Sequence, residues 1–151
     1  MAGEASVPPP TPIALVLCDN VYQDSHGKRA LVGLFDRIVA RSMPTVHPKM
    51  CVLVSLTSIR PNTICKLDIV HSETDEPIVV MQGPAPPGTQ PIDIWDVVFE
   101  LPPVQFREPG TYYVRFFGNE HILVQRPIQV VLQRAKSQQE RENREQDNDD
   151  A

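Results

Sequence analysis

The sequence predicts an all-β domain, an antiparallel sandwich of about seven to eight strands flanked by disordered ends. Three observations carry that reading. Between residues 12 and 133, short runs rich in Val, Ile, Leu and aromatic residues are broken again and again by Gly, Pro, Asn, Asp and Ser. Several of these runs alternate strictly between apolar and polar positions, the period of a half-buried strand. No apolar i, i+3, i+4 pattern before residue 134 is long enough for a helix.

Taken in order, residues 1–11 are proline-rich and are expected to form a disordered arm. Residues 13–19 and 29–39 are apolar on both faces for several positions, as interior strands covered on two sides would be. A turn over residues 24–28 separates them, and Gly33 within the second run marks a bulge or a close backbone approach. Residues 50–59 form a third strand, followed by the tight turn Arg60-Pro61-Asn62-Thr63. In residues 64–69, Cys65, Leu67 and Ile69 point inward while Lys66 and Asp68 point outward. A polar turn over 72–77 leads to a short strand over 78–81. Residues 82–91, with four prolines and two glycines, then read as a stiff loop.

Over residues 92–101, Trp95, Val97, Phe99 and Leu101 share a face opposite Asp96 and Glu100. The next strand turns Tyr112, Val114 and Phe116 inward and Tyr113 and Arg115 outward. Gly118-Asn119 is a two-residue hairpin signal, and Pro127 must kink the last strand, residues 122–131, or place it at an edge. Residues 134–151 contain no apolar residue except two alanines and are expected to be a disordered charged tail, helical for a frayed turn at most. The domain organisation is thus an arm over 1–11, one sandwich over 12–133 and a tail over 134–151.

Composition narrows the function classes. At 151 residues there is room for one ordinary domain, which can fold without staples. The net charge is −5; setting aside Glu4 and the tail (four basic, six acidic residues) leaves the body with 10 basic against 12 acidic, or −2. A body so near neutrality lacks the basic surface that nucleic acid or anionic lipid requires, so neither is an expected partner. Cys18, Cys51 and Cys65 are odd in number, show no C-x-x-C spacing and sit in apolar runs, which predicts reduced, buried thiols with no disulfide framework and no zinc. The first ten residues carry Glu4 and no basic residue, and the apolar run that follows is too short for a signal or a bilayer span. The expected location is cytoplasmic, with no membrane partner.

Two resemblances bear on architecture. Glu108-Pro109-Gly110-Thr111-Tyr112-Tyr113-Val114 resembles the segment that opens strand F of immunoglobulin-like sandwiches, with Val114 where the disulfide cysteine would stand. That resemblance implies an immunoglobulin-like sandwich in which the Tyr112 hydroxyl bonds back to the backbone at a corner. Leu17-Cys18-Asp19-Asn20-Val21, the run from Gly27 to Asp36, His47-Pro48 and Glu108-Pro109-Gly110-x-Tyr112 together are similar to a family of small bacterial proteins classed as a domain of unknown function. It implies a bacterial intracellular β-sandwich and brings no catalytic or binding residue with it.

The residues that could carry chemistry are Asp19, Asn20, Asp24, His26, Asp36 and His47. Convergence of Asp19, Asp36 and His47 would make a hard-metal or acid–base site, and a small metal-dependent or hydrolytic enzyme is the alternative function. The simpler reading makes these residues turn formers and backbone caps. No H-E-x-x-H, Gly-x-Ser-x-Gly or phosphate-binding glycine loop occurs; Ser55 and Ser58 lie along a strand, and His71 and His121, at strand ends beside turns, read as ordinary surface residues. The expected function is therefore a non-catalytic protein-interaction or structural module with no cofactor and no metal. Tyr113, Arg115 and Phe117, an outward aromatic and arginine stripe, are the candidate partner face, with an exposed edge strand offering homo-oligomerisation. Residues 82–91 could also dock in extended form on an aromatic groove.

Overall fold

The computed structural model describes residues 8–85 and 90–149 and places eleven strands among them. The first sheet has the order β2-β1-β5-β8, from β1 (Thr11–Gln23), β2 (Arg29–Leu34), β5 (Met50–Thr57) and β8 (Trp95–Leu101). The second has the order β3-β11-β10-β6-β7, from β3 (Arg37–Ala40), β6 (Ile64–His71), β7 (Pro77–Pro84), β10 (Gly110–Gly118) and β11 (His121–Leu132). A short ladder of β4 (Thr45–His47) with β9 (Val104–Phe106) completes the set. The core lies between the two large sheets. Leu15 and Leu17 of β1 and Met50, Val52, Val54 and Leu56 of β5 face Leu67, Ile69, Tyr112, Val114, Phe116 and Ile128. Phe106 and Phe116 are fully buried, each stabilising by about 1.5–3 kcal/mol through the apolar surface it removes from water.

The all-β sandwich expected from the sequence is present, with differences in detail. The count is eleven rather than seven or eight because the run over 29–39 is two strands in different sheets and because β4 and β9 add a short ladder of their own. β2 ends at Leu34, the chain crosses between sheets at Phe35-Asp36, and β3 pairs in parallel with β11. Gly33 lies inside β2 at φ +75°, where a Cβ would stand 2.5 Å from the Asp19 carboxylate; the close approach is present, and the register with β1 runs through it without a bulge. Far from being covered on both faces, β2 is an edge strand whose Val32 and Leu34 are exposed.

The loop expected over 82–91 is shorter, because β7 continues to Pro84; residues 86–89 of that motif lie outside the described residues. The hairpin between β10 and β11 turns on Asn119-Glu120, one position later than expected. Gly118 pairs with His121, and Asn119 and Glu120 both take positive φ, the pattern of a type I′ turn.

The ends also differ from expectation. Residues 1–7 lie outside the described part, but Pro10 is already buried and β1 starts at Thr11, so the arm ends sooner than residue 11. The backbone of Arg134–Asp149 is an α-helix, α1, where a disordered tail was expected; residues 141–149 are all exposed, as a segment with no apolar face requires.

Other expectations are met. Pro61 and Asn62 (φ +64°) occupy the centre of a turn that the Thr63 hydroxyl closes by donating to the Arg60 carbonyl at 2.7 Å. Pro127 pairs opposite Tyr113 in β11, beyond the stretch over which β3 covers the other side of that strand, so its missing N–H faces no ladder partner. The Tyr112 hydroxyl donates to the Glu108 carbonyl at 2.7 Å and its ring meets Phe106 and His71 edge-on, so the tyrosine corner forms.

Candidate functional site

The expected partner stripe lies on the outer face of the five-stranded sheet, where strand alternation leaves it. Tyr113 and Arg115 are half-buried there. Phe117 is not an open anchor as expected; it retains only 9 % of its accessible surface. The Lys66 ammonium covers its ring at 4.3 Å and the Arg115 guanidinium lies 5.2 Å from its centroid. Arg115 is directly opposite Asp68 in the β10–β6 ladder, and its Nε and Nη2 donate to the two carboxylate oxygens at 2.8 Å each. Its Nη1 reaches Asp75, in the turn after β6, at 3.4 Å. Asp68 takes the outer face, as expected, but is 1 % exposed there. Hydrogen bonding to that carboxylate pushes the Arg115 pKa up, so the guanidinium is a permanent charge held flat in one orientation.

Beside this platform is a cleft of about 630 Å³ lined by Ile64, Lys66, Gln82, Phe117, Asn119 and Glu120. Asn119 fixes its rim, because its backbone N–H and side-chain oxygen both bond the backbone of Ile64 at 2.9 Å. Lys66, Asp68 and Asp75 are the residues of this site that the sequence reading left out. The available signal was the match of charge between Asp68 and Arg115, but 47 positions separate them and only the register of β6 on β10 makes them neighbours. A second cleft, of about 670 Å³, lies between β7 and residues 102–108. His71, expected at the surface, is buried and lines it, with Nδ1 accepting from the Glu73 N–H at 3.1 Å and Nε2 without a partner among the described residues.

The alternative site is half assembled. His47 Nε2 stands 3.6 Å from Asp19 Oδ1, with the imidazole against Phe35. Asp36 does not join them as a ligand group: no cluster of three His, Cys, Asp or Glu suited to a metal occurs among the described residues. Its carbonyl accepts the Gln129 N–H where the chain changes sheets. Asp24 is a turn cap, accepting from the N–H groups of His26 and Lys28 at 2.8 and 2.9 Å. Ser55 donates to Asp96 across β5 and β8. All three thiols are free and buried. Cys18 and Cys51 face each other across β1 and β5, and burial pushes both thiols up; burial raises Cys65 to about 11.

Fold and site together define an all-β sandwich protein with a built aromatic and cationic surface on one sheet. The chain belongs to a family of unknown function, DUF6941, whose model matches residues 13–131. That span includes every segment on which the resemblance to a family of unknown function was drawn. No curated protein matches the chain. Among the described residues no helix is long and apolar enough to cross a membrane.

Proposed function

We propose that this chain is a non-catalytic interaction module of the bacterial cytoplasm, an immunoglobulin-like sandwich that docks a protein partner on the outer face of its five-stranded sheet. The observation that carries the reading is the Asp68–Arg115–Phe117–Lys66 array. A buried carboxylate, itself off the surface, orients an arginine beside an aromatic ring that a lysine also covers. Side chains held this way lose little conformational entropy on binding, and Arg and aromatic residues dominate interface energetics. Tyr113 flanks the array and the cleft at Gln82 adjoins it. The tyrosine corner supports the immunoglobulin-like architecture, and the reduced thiols fit a reducing compartment.

A photo-crosslinking residue placed at 113 or 82 in cells tests this against one at Lys28, in the exposed β1–β2 turn. One protein trapped from both 113 and 82 and absent from 28 is the expected outcome. No adduct, or the same mixture from all three positions, would remove the docking face. A second reading, a small hydrolytic or metal-dependent enzyme on Asp19, Asp36 and His47, draws on the approach of His47 to Asp19. Stoichiometric metal in the purified protein, lost in His47→Ala, would favour it.

A further inference from the structure

In the two large sheets four strand edges have no ladder partner among the described residues: β2 and β8 in one, β3 and β7 in the other. Two of them are interrupted. Prolines stand at both ends of β7, and its pairing with β6 slips by a residue between Ile69 and Val70. β2 carries Gly33 in a left-handed conformation. Such features keep an edge from templating another strand. β8 has none of them. Its seven residues pair one for one with β5, from Leu56 with Trp95 to Met50 with Leu101, with no slip, proline or glycine.

The charges on the uninterrupted edges are specific. On the outer face β8 presents Asp96, Val98 and Glu100, while Val97 and Phe99 point to the core. On the outer face β3 presents Arg37 and Val39, continued by the exposed Arg41, while Ile38 and Ala40 are buried. Val39 is 54 % exposed. Two copies of β8 paired antiparallel about Val98 would set Asp96 against Glu100 twice. Two copies of β3 about Val39 would set Arg37 against Arg41 twice. Like charges directly opposite destabilise a ladder. Each edge therefore repels its own kind.

Between the two edges the sign reverses. Asp96 and Glu100 are four residues apart, as are Arg37 and Arg41, and each pair brackets a valine. With Val98 opposite Val39, both acids meet arginines, and Phe99 and Val97 meet Ile38 and Ala40. The basic pair is symmetric about Val39, so the match holds for either strand direction. Among the described residues no ion pair engages any of the four, although Asp96 accepts the Ser55 hydroxyl. The edges also lie on opposite flanks. Arg126 of β11 bonds the Leu15 carbonyl of β1, which sets β3 on the β1 side and leaves β8 on the far side.

We infer that the chain self-associates head to tail, with β8 of one copy pairing onto β3 of the next. The interface is heterologous, so it leaves a free edge at each end and repeats rather than closing as a two-fold dimer. It uses neither Arg115 nor the cleft beside Phe117, so it stands or falls apart from the docking face. Sedimentation of the full chain over a concentration series tests it. The average mass should climb from the 16.9 kDa monomer past the dimer without a plateau, less so in high salt. Glu100→Lys should shift association to roughly tenfold higher concentration, the effect of turning one attractive cross-strand pair repulsive. Adding Arg37→Glu to that chain should restore association if the strands run antiparallel, and Arg41→Glu if they run parallel. Circular dichroism confirms that each variant is folded. A wild-type chain monomeric to about 1 mM, a mass that stops at the dimer, or a Glu100→Lys defect rescued by neither reversal would overturn the inference.

Discussion

Strands β8 and β10 carry the same kind of alternation and end in different surroundings. In β10, Tyr112, Val114 and Phe116 are sealed, because β6 and β11 flank the strand and the other sheet covers its inner face. In β8, Trp95, Val97 and Phe99 face the same core but stay half-buried, since β8 ends its sheet. Alternation reports which face a residue takes; it carries no information about how far across the sheet the strand lies. The outer faces differ too. Arg115 of β10 finds a buried acid across the ladder, whereas Glu100 of β8 is exposed with no ion pair among the described residues.

The comparison can be broken by mutation, with the largest effect expected in the sealed strand. Phe116→Ala should cost about 3–5 kcal/mol in denaturant unfolding, the range for emptying an aromatic site in a core. Arg115→Ala should cost about 3 kcal/mol, because it strands the Asp68 carboxylate in a buried position. Asp68→Ala should cost less, since Arg115 is the more exposed partner and can turn to water. The opposite order would mean that the pair is solvated.

Alkali provides a test that needs no packing change. The Cys65 thiol titrates near 9.0 in an ordinary setting and at about 11 in the fold. Between those values the unfolded chain has lost the proton and the folded chain keeps it, so stability must fall as pH rises through this window. The loss should reach roughly 2–3 kcal/mol near pH 11. Cys65→Ala should flatten part of the curve; the raised Tyr112, Cys18 and Cys51 values leave a residual slope of the same sign.

Smaller effects sharpen the contrast. Tyr112→Phe should cost about 1–3 kcal/mol through the unpaired Glu108 carbonyl. Trp95→Ala, at the edge, should cost about 1–2 kcal/mol, below the core range, because part of the ring is already in water. Tyr113→Phe should change stability by less than about 0.5 kcal/mol, as a surface substitution does. If Trp95→Ala matches Phe116→Ala, the β8 edge is covered in solution.

Most of the fold was legible because it is local. The inward set of β10, the turn at Pro61-Asn62 and the tyrosine corner each rest on residues within a few positions of one another. The sheet change at Phe35-Asp36 was not, since apolar residues resume at Ile38 and Val39 after only the charged pair Asp36-Arg37. Only pairing with β11, some ninety positions on, separates the two stretches. The candidate site divides the same way. The outward direction of Tyr113, Arg115 and Phe117 follows from the period. Burial of Phe117 and Asp68 depends on Lys66 and Arg115 crossing the ladder between strands remote in sequence.

The lateral placement of the two strands is what the account rests on, and hydrogen exchange on the dilute monomer measures it directly. Amides from Tyr112 to Gly118 should be protected throughout, because β6 and β11 take up both sides of β10. In β8, alternate amides between Trp95 and Leu101 should exchange fast, since only β5 is present to hold them. Uniform protection along β8 in the dilute protein, or alternating protection along β10, would contradict the account.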